Sequence, residues 1–309
     1  MKEVNPSRTS EIPKFKVVGF LIAGLLSFGF APILVRFATD VEPITLAAMR
    51  TIFAVVLLLP FWAGKRATVT ELKKNGIRFY MLVLAGLCLG LHFTFWIASL
   101  HYTSVASASV LVTIHPVILI VAESIIFKKS FRGVVWAGVF VAFSGSVMLG
   151  IADQTHSADF PNALLGNTLA FTAAAIFVIY FLLGRKVRQH AEWIDYVFHV
   201  YLYAALTCAV LTFLWAGGMP LITTSSVIIG LALAIGPTIL GHGSMNYAVK
   251  YISPTLLSTL ILSEAVFAAT VAYFLFDEIP GWLSFTAMLI IITGITITWT
   301  RRLTRKKIT

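Results

Sequence analysis

Apolar residues fall in ten long blocks, parted by short polar connections, along the whole chain. The blocks predict helices over Val17 to Thr39, Pro43 to Trp62, Ile77 to Leu100, Ser104 to Phe127 and Arg132 to Ile151. A second set follows over Asn162 to Lys186, Trp193 to Trp215, Ser225 to Val249, Pro254 to Phe276 and Gly281 to Thr300. Each block is near or above the roughly 20 residues that cross ~30 Å of hydrocarbon. With no water in hydrocarbon to satisfy the backbone, helices are the expected form. The first block carries Arg36 close to its end. It is too long and too polar there for the apolar stretch of a cleaved signal, and reads as a retained helix.

Charge then fixes an orientation, because segments rich in Lys and Arg resist translocation. Of the 23 lysines and arginines, all but Arg36 and Arg50 lie in the N-terminal tail, in alternate connections around Lys65, Lys128, Arg185 and Lys250, or in the tail after Thr300. The intervening connections near Asp40, His101, Asp153, Gly217 and Asp277 hold no Lys or Arg. Both termini are therefore expected in the cytoplasm, with the protein in the cell's inner, or plasma, membrane. Residues 1–16 read as a cytoplasmic tail, 17–151 and 162–300 as two five-helix units joined by a non-cytoplasmic linker at 152–161, and 301–309 as a basic tail.

The two units repeat one another. A shift of 149 residues lays Tyr102 on Tyr251, Ser104 on Ser253, Ser109 on Ser258, Val117 on Val266, Phe127 on Phe276 and Gly145 on Gly294. Five helices is an odd number, so the second unit starts on the opposite face of the membrane. The expected fold is an all-α integral membrane protein of ten transmembrane helices in two inverted-topology repeats, an architecture that opens to alternate sides around a site between the repeats.

The segments HPVILIVAESIIFKKSFRGVVWAGVFVAFSGSVML from His115 and SEAVFAATVAYFLFDEIPGWLSFTAMLIIITGITI from Ser263 resemble the two units of EamA-type carriers of the drug/metabolite transporter superfamily. Pro116 and Gly145 in the first unit, and Glu264, Glu278 and Gly294 in the second, stand where that family carries such residues, whereas Lys129 and Ala265 depart from it. The resemblance implies secondary transport of an amino acid or related metabolite, drugs included, with export as the favoured direction and uptake as the alternative. It also implies a central cavity bounded by helices three, four, eight and nine.

Composition agrees with lipid as the solvent. The chain is 59% hydrophobic and 12% charged with mean hydropathy +0.91, whereas a soluble domain is about a quarter charged. The net charge of +10 sits in clusters at block ends rather than in basic stripes interleaved with aromatics, which argues against nucleic acid. Cys88 and Cys208 lie in apolar blocks without a CxxC partner and read as packing residues. No HExxH, GxSxG, P-loop or metal-ligand spacing occurs, so no enzyme, ATP-driven pump, metal or cofactor is expected. A channel or receptor is the different-class alternative. The chain reads as a monomer whose partners are the bilayer, a small solute and, as a candidate coupling ion, the proton.

Ionisable groups in mid-membrane cost about 3 kcal/mol on insertion scales and point to a cavity, a partner or a function. His115 and Glu264 are mates under the 149 shift, at the centres of helices four and nine. They are candidates for substrate contact and proton coupling, or for a lock between helices. His92, Trp96 and Ser99 share a face of helix three, and His242, Asn246 and Tyr247 sit together on helix eight. The expected substrate contacts are His92, Trp96, His115, His242, Asn246, Tyr247 and Glu264. Arg50 and His199, also mates under the shift, read first as structural anchors and second as gating groups, Arg50 also as an anion contact. Pro116 and Pro237 are expected to break helices four and eight. Arg36 and Glu123 lie near helix ends, where snorkelling to the interface is the default.

Overall fold

The computed structural model of the protein describes residues 14–38, 41–63, 78–103, 105–152, 161–216, 222–276 and 281–303. The connections near Lys65, Asp153, Gly217 and Asp277 and residues 1–13 and 304–309 of the basic ends lie outside the described residues, as do Thr39, Ile77, Ser104 and Glu278, whereas 14–16 and 301–303 continue the end helices.

All regular structure among the described residues is helical. In chain order the helices are α1 (Lys14–Gly29), α2 (Ala31–Arg36), α3 (Pro43–Ala63), α4 (Phe79–Tyr102), α5 (Val105–Val112), α6 (His115–Ile126) and α7 (Gly133–Ala152). Then come α8 (Ala163–Arg188), α9 (Trp193–Ala216), α10 (Thr224–Leu233), a π-helix (Ala234–His242), α11 (Gly243–Ala248), α12 (Pro254–Ile261), α13 (Ser263–Phe276) and α14 (Trp282–Leu303). Among the described residues seven helical stretches are long and apolar enough to cross a membrane, and Val110–Ile126 and Gly133–Leu149 are shorter apolar helices.

Four of the expected helices are interrupted rather than continuous. The first breaks at Phe30, just ahead of Pro32, which lacks a backbone donor. The fourth breaks at Thr113 and Ile114, just ahead of Pro116. The eighth passes through the π-helix that contains Pro237. The ninth breaks at Leu262, without a proline. Thr113 and Leu262 are equivalent under the 149-residue shift, so the two breaks fall at one point of the repeat.

Large apolar side chains face outward along the helices, among them Val56, Phe61, Leu206, Val210, Leu214 and Ile292. Their exposure follows from the solvent: lipid tails are as apolar as the core, so helix association rests on close packing rather than on burial. Small residues supply that closeness. Gly86 and Gly90, four residues apart on α4, lie on the backbone of α9 at Val200 and Ala204. Helices α7 and α14 form an equally tight pair: Gly138 lies on Gly294 and Thr298, and Gly145 on Ala287 and Ile291. Numbers rise along one helix as they fall along the other, so this pair is antiparallel. Elsewhere α4 packs on α8 and α9, α3 on α9, and α1 on the π-helix and α11.

Glu123 departs from the sequence expectation. Instead of snorkelling it is buried, accepting hydrogen bonds from the Thr255 backbone N–H (3.1 Å) and hydroxyl, and pairing with Lys129 Nζ at 2.9 Å. A carboxylate at the exposed N–H groups of α12 is favoured by the helix dipole as well as by the bonds. The side chain of Arg36 lies outside the described residues.

Candidate functional site

Two prolines set the geometry of the centre. Pro116 has no N–H to donate to the carbonyl of Val112, four residues back. The His115 ring takes that place, with Nδ1 2.9 Å from Val112 O. Pro237 likewise leaves Leu233 O without its α-helical donor, and the Thr238 hydroxyl donates to it at 2.9 Å. Tyr201 OH donates to Thr238 O at 2.7 Å, which pins the π-helix from α9. In both places a polar side chain beside the proline bonds the carbonyl that the proline cannot serve, at Leu233 together with the i→i−5 bonding of the π-helix.

Around these breaks lies a cavity with about 120 Å³ of space open to the centre of a water molecule. It is lined by Phe28 and Ala31 from α1 and α2, Arg50 from α3, His92, Phe93 and Trp96 from α4, and Val112, Thr113 and His115 at the α5–α6 break. Phe177 from α8, Pro237 and His242 from the π-helix, and Ile261 and Glu264 at the α12–α13 break complete it.

The polar groups are oriented by contacts behind them. A carbonyl only accepts, so Nδ1 of His115 carries a proton, and Nε2 is buried without a hydrogen-bond partner. His92 is held the same way, with Nδ1 3.0 Å from Ala173 O. His242 makes edge contacts with Phe28 and Phe93, each with ring centroids 4.9 Å apart. Phe177 lies among the imidazoles, its centroid 4.9 Å from that of His115 and 5.1 Å from that of His92. The Trp96 indole N–H is buried and unpartnered. Arg50, only 1% exposed, donates from Nε to Thr238 Oγ1 at 2.9 Å, and its Cζ lies 4.0 Å above the Phe93 ring. Glu264 stands in the first turn of α13 and, among the described residues, makes no hydrogen bond or ion pair.

Of the expected substrate contacts, His92, Trp96, His115, His242 and Glu264 therefore line one cavity. Asn246 and Tyr247 lie apart from it on α11. Asn246 Oδ1 accepts from Tyr180 OH at 2.8 Å, and Tyr247 stacks on Phe20 with centroids 4.8 Å apart. Ser99 is fully buried and donates to Trp96 O. His199 also sits outside the cavity, bonded to Asp195 O at 2.7 Å and packed edge-on against Trp62. Pro237 lines the cavity, whereas Pro116 is buried beside it. The cavity draws on α1, α3 and α8 as well as the four expected helices. Nothing in the sequence marks Phe28, Phe93 or Phe177 apart from 24 phenylalanines. Arg50 carried a signal, a lone arginine inside an apolar block, that fits a cavity residue as well as an anchor.

Comparison with known proteins places this geometry. The model of the EamA-like transporter family matches twice, over residues 15–151 and 164–300. An uncharacterised transporter of Archaeoglobus fulgidus is 22% identical over 262 residues, covering 84% of this chain and 88% of that protein. A Rickettsia prowazekii protein named S-adenosylmethionine uptake transporter is 26% identical over 247 residues, 78% of each chain. A solved crystal structure at 17% identity superposes with a TM-score of 0.78, over 93% of this chain and 98% of that one, which places the two in one fold.

Proposed function

Since the chain belongs to the EamA-like transporter family, we propose that it is a secondary carrier of a small polar or amphipathic metabolite, an amino acid or a related compound. It works by alternating access between two inverted five-helix halves. The ten spans are the seven long apolar stretches together with the shorter helices at Val110–Ile126 and Gly133–Leu149 and the α12–α13 run. Inversion is supported by α7 and α14, which are equivalent under the 149-residue shift and pack antiparallel. The alternation of basic and charge-poor connections supports both termini being cytoplasmic.

The observation that carries the reading is the pairing of broken helices with ionisable groups. His115 and Glu264 lie in the first turns of the second halves of two interrupted helices, at equivalent points of the repeat, and both line one cavity. Interrupted helices meeting at a midplane site are how carriers present polar groups to a solute inside a membrane. The imidazoles and Glu264 contact the polar groups of the solute, and Trp96 with Phe177 and Phe93 packs its apolar part. Glu264 also serves as the proton carrier, His115 being its neighbour in that role.

The test is transport in proteoliposomes with a labelled pool of amino acids and small metabolites, with and without a pH gradient. Uptake that responds to the gradient, and that loses the response in Glu264→Gln, is the expected result. Movement indifferent to both would leave a carrier without proton coupling through Glu264, and no movement of any solute would overturn the proposal. Export is the direction implied by family resemblance. Uptake is the second reading, favoured by the printed name of the Rickettsia prowazekii relative, and accumulation in intact cells against efflux from preloaded cells separates the two.

A further inference from the structure

We propose that Arg50 is the anion-recognition point of the cavity, aligned by Thr238, so that the carried solute is read as a dipole with its anionic group on Arg50 and its cationic group toward Glu264. This rests on the carrier reading above.

Position comes first. Arg50 is seven residues beyond Pro43, the first residue of α3, roughly 10 Å along the helix at 1.5 Å per residue, a depth from which an arginine could snorkel to the interface. It does not. Its side chain is 1% exposed and lines the central cavity.

Alignment comes next. The Thr238 hydroxyl has one hydrogen and gives it to Leu233 O, so it can only accept from Arg50 Nε. One edge of the guanidinium is thereby fixed, and Phe93 supports its face. The chain of cause runs from Pro237, which removes the α-helical donor to Leu233 O, through Thr238 to the arginine. An arginine fork held at Nε presents its two terminal nitrogens in the geometry that suits a carboxylate.

Charge completes the case. Glu264 lines the same cavity, yet the two charges are not within 4.0 Å of each other, and among the described residues neither makes an ion pair. A desolvated cation and anion left apart are costly, and a ligand carrying both opposite charges relieves both at once. A purely cationic or purely anionic solute would relieve only one. The class that fits is a zwitterion with a carboxylate and an ammonium-type cation.

The experiment uses the purified full chain and the variants Arg50→Gln, Arg50→Lys, Thr238→Val and Thr238→Ser. For each labelled L-amino acid that is moved, competition by the corresponding amine lacking the carboxylate is measured. In wild type the amine should compete at least about tenfold more weakly, as expected for loss of one charge-assisted hydrogen-bonded pair. Arg50→Gln should bring the two within about threefold, with Arg50→Lys between. Thr238→Val should raise the half-saturation concentration about tenfold while the maximal rate stays within about twofold, and Thr238→Ser should restore it. Unchanged discrimination and half-saturation in Arg50→Gln would overturn the proposal. If wild type moves no pool member, the carrier reading fails by itself, and thermal stabilisation by L-alanine, propionate and ethylamine decides the role of Arg50. Stabilisation by the two carboxylates that is lost in Arg50→Gln upholds it, and identical shifts in both proteins overturn it.

Discussion

His115 performs two tasks with one ring. Its Nδ1 caps the carbonyl that Pro116 leaves open, and its Nε2 is left for the cavity. Replacing it with phenylalanine keeps the bulk and removes both functions, leaving Val112 O without its donor inside the membrane. We expect His115→Phe to lose about 1–3 kcal/mol of stability, read from unfolding titrations in mixed micelles. At this scale the sequence was legible at His92, His115, His242 and Glu264, which stand out because such groups are rare inside apolar blocks, but not at Glu123, Arg50 or His199. It was blind where the residue type is common, as with Phe177, and where two neighbours on one helix face different ways. Asn246 and Tyr247 follow His242 by only four and five residues, yet they are taken up by Tyr180 and Phe20.

Among elements, the interrupted helices line the cavity, and their legibility was uneven. Pro116 and Pro237 announce their breaks because a proline forbids one hydrogen bond. The break at Leu262 has no such marker, and only its equivalence to Thr113 points to it. The nine-residue π-helix was not legible, since its register depends on Arg50, Tyr201 and Thr238 meeting from three elements. Pro237→Ala supplies the α-helical donor for Leu233 O, which competes with the π register and with the bond from the Thr238 hydroxyl. The expected result is weaker solute binding by about tenfold with the fold retained, measured as half-saturation beside a helical circular-dichroism spectrum. The α7–α14 pair is the complementary case: among the described residues it lines no part of the cavity, and closeness decides its packing. A Cβ on Gly294 would meet the backbone of Ala142. Gly294→Val should therefore cost about 1–3 kcal/mol in the same unfolding titration.

For the whole molecule, the exchange of one half for the other predicts a labelling pattern. Single cysteines near Lys65 and Lys250 should react with a membrane-impermeant reagent from one side, and those near His101 and Gly217 from the other. Background should be negligible, because Cys88 and Cys208 are buried. A swap of any one of these positions would remove the inverted ten-span arrangement. The repeat could be read in the sequence because loop spacing is constant across 149 residues. What the sequence withheld was that Glu123 and Thr255 meet.

Glu123 marks that difference. Under the shift its counterpart is Ala272, and the counterpart of Thr255 is Ala106, so the other pair has neither the side-chain carboxylate nor the hydroxyl, and the carboxylate clasp between α6 and α12 has no equivalent in the sequence there. A molecule built from two equivalent halves would otherwise favour neither of its two open forms. One clasp worth about 2 kcal/mol would hold the form it belongs to in roughly thirtyfold excess. In a carrier that alternates as proposed, a clasp confined to one of the two forms would set an idle posture, as a single latch does for a door, and its opening would pace the traffic.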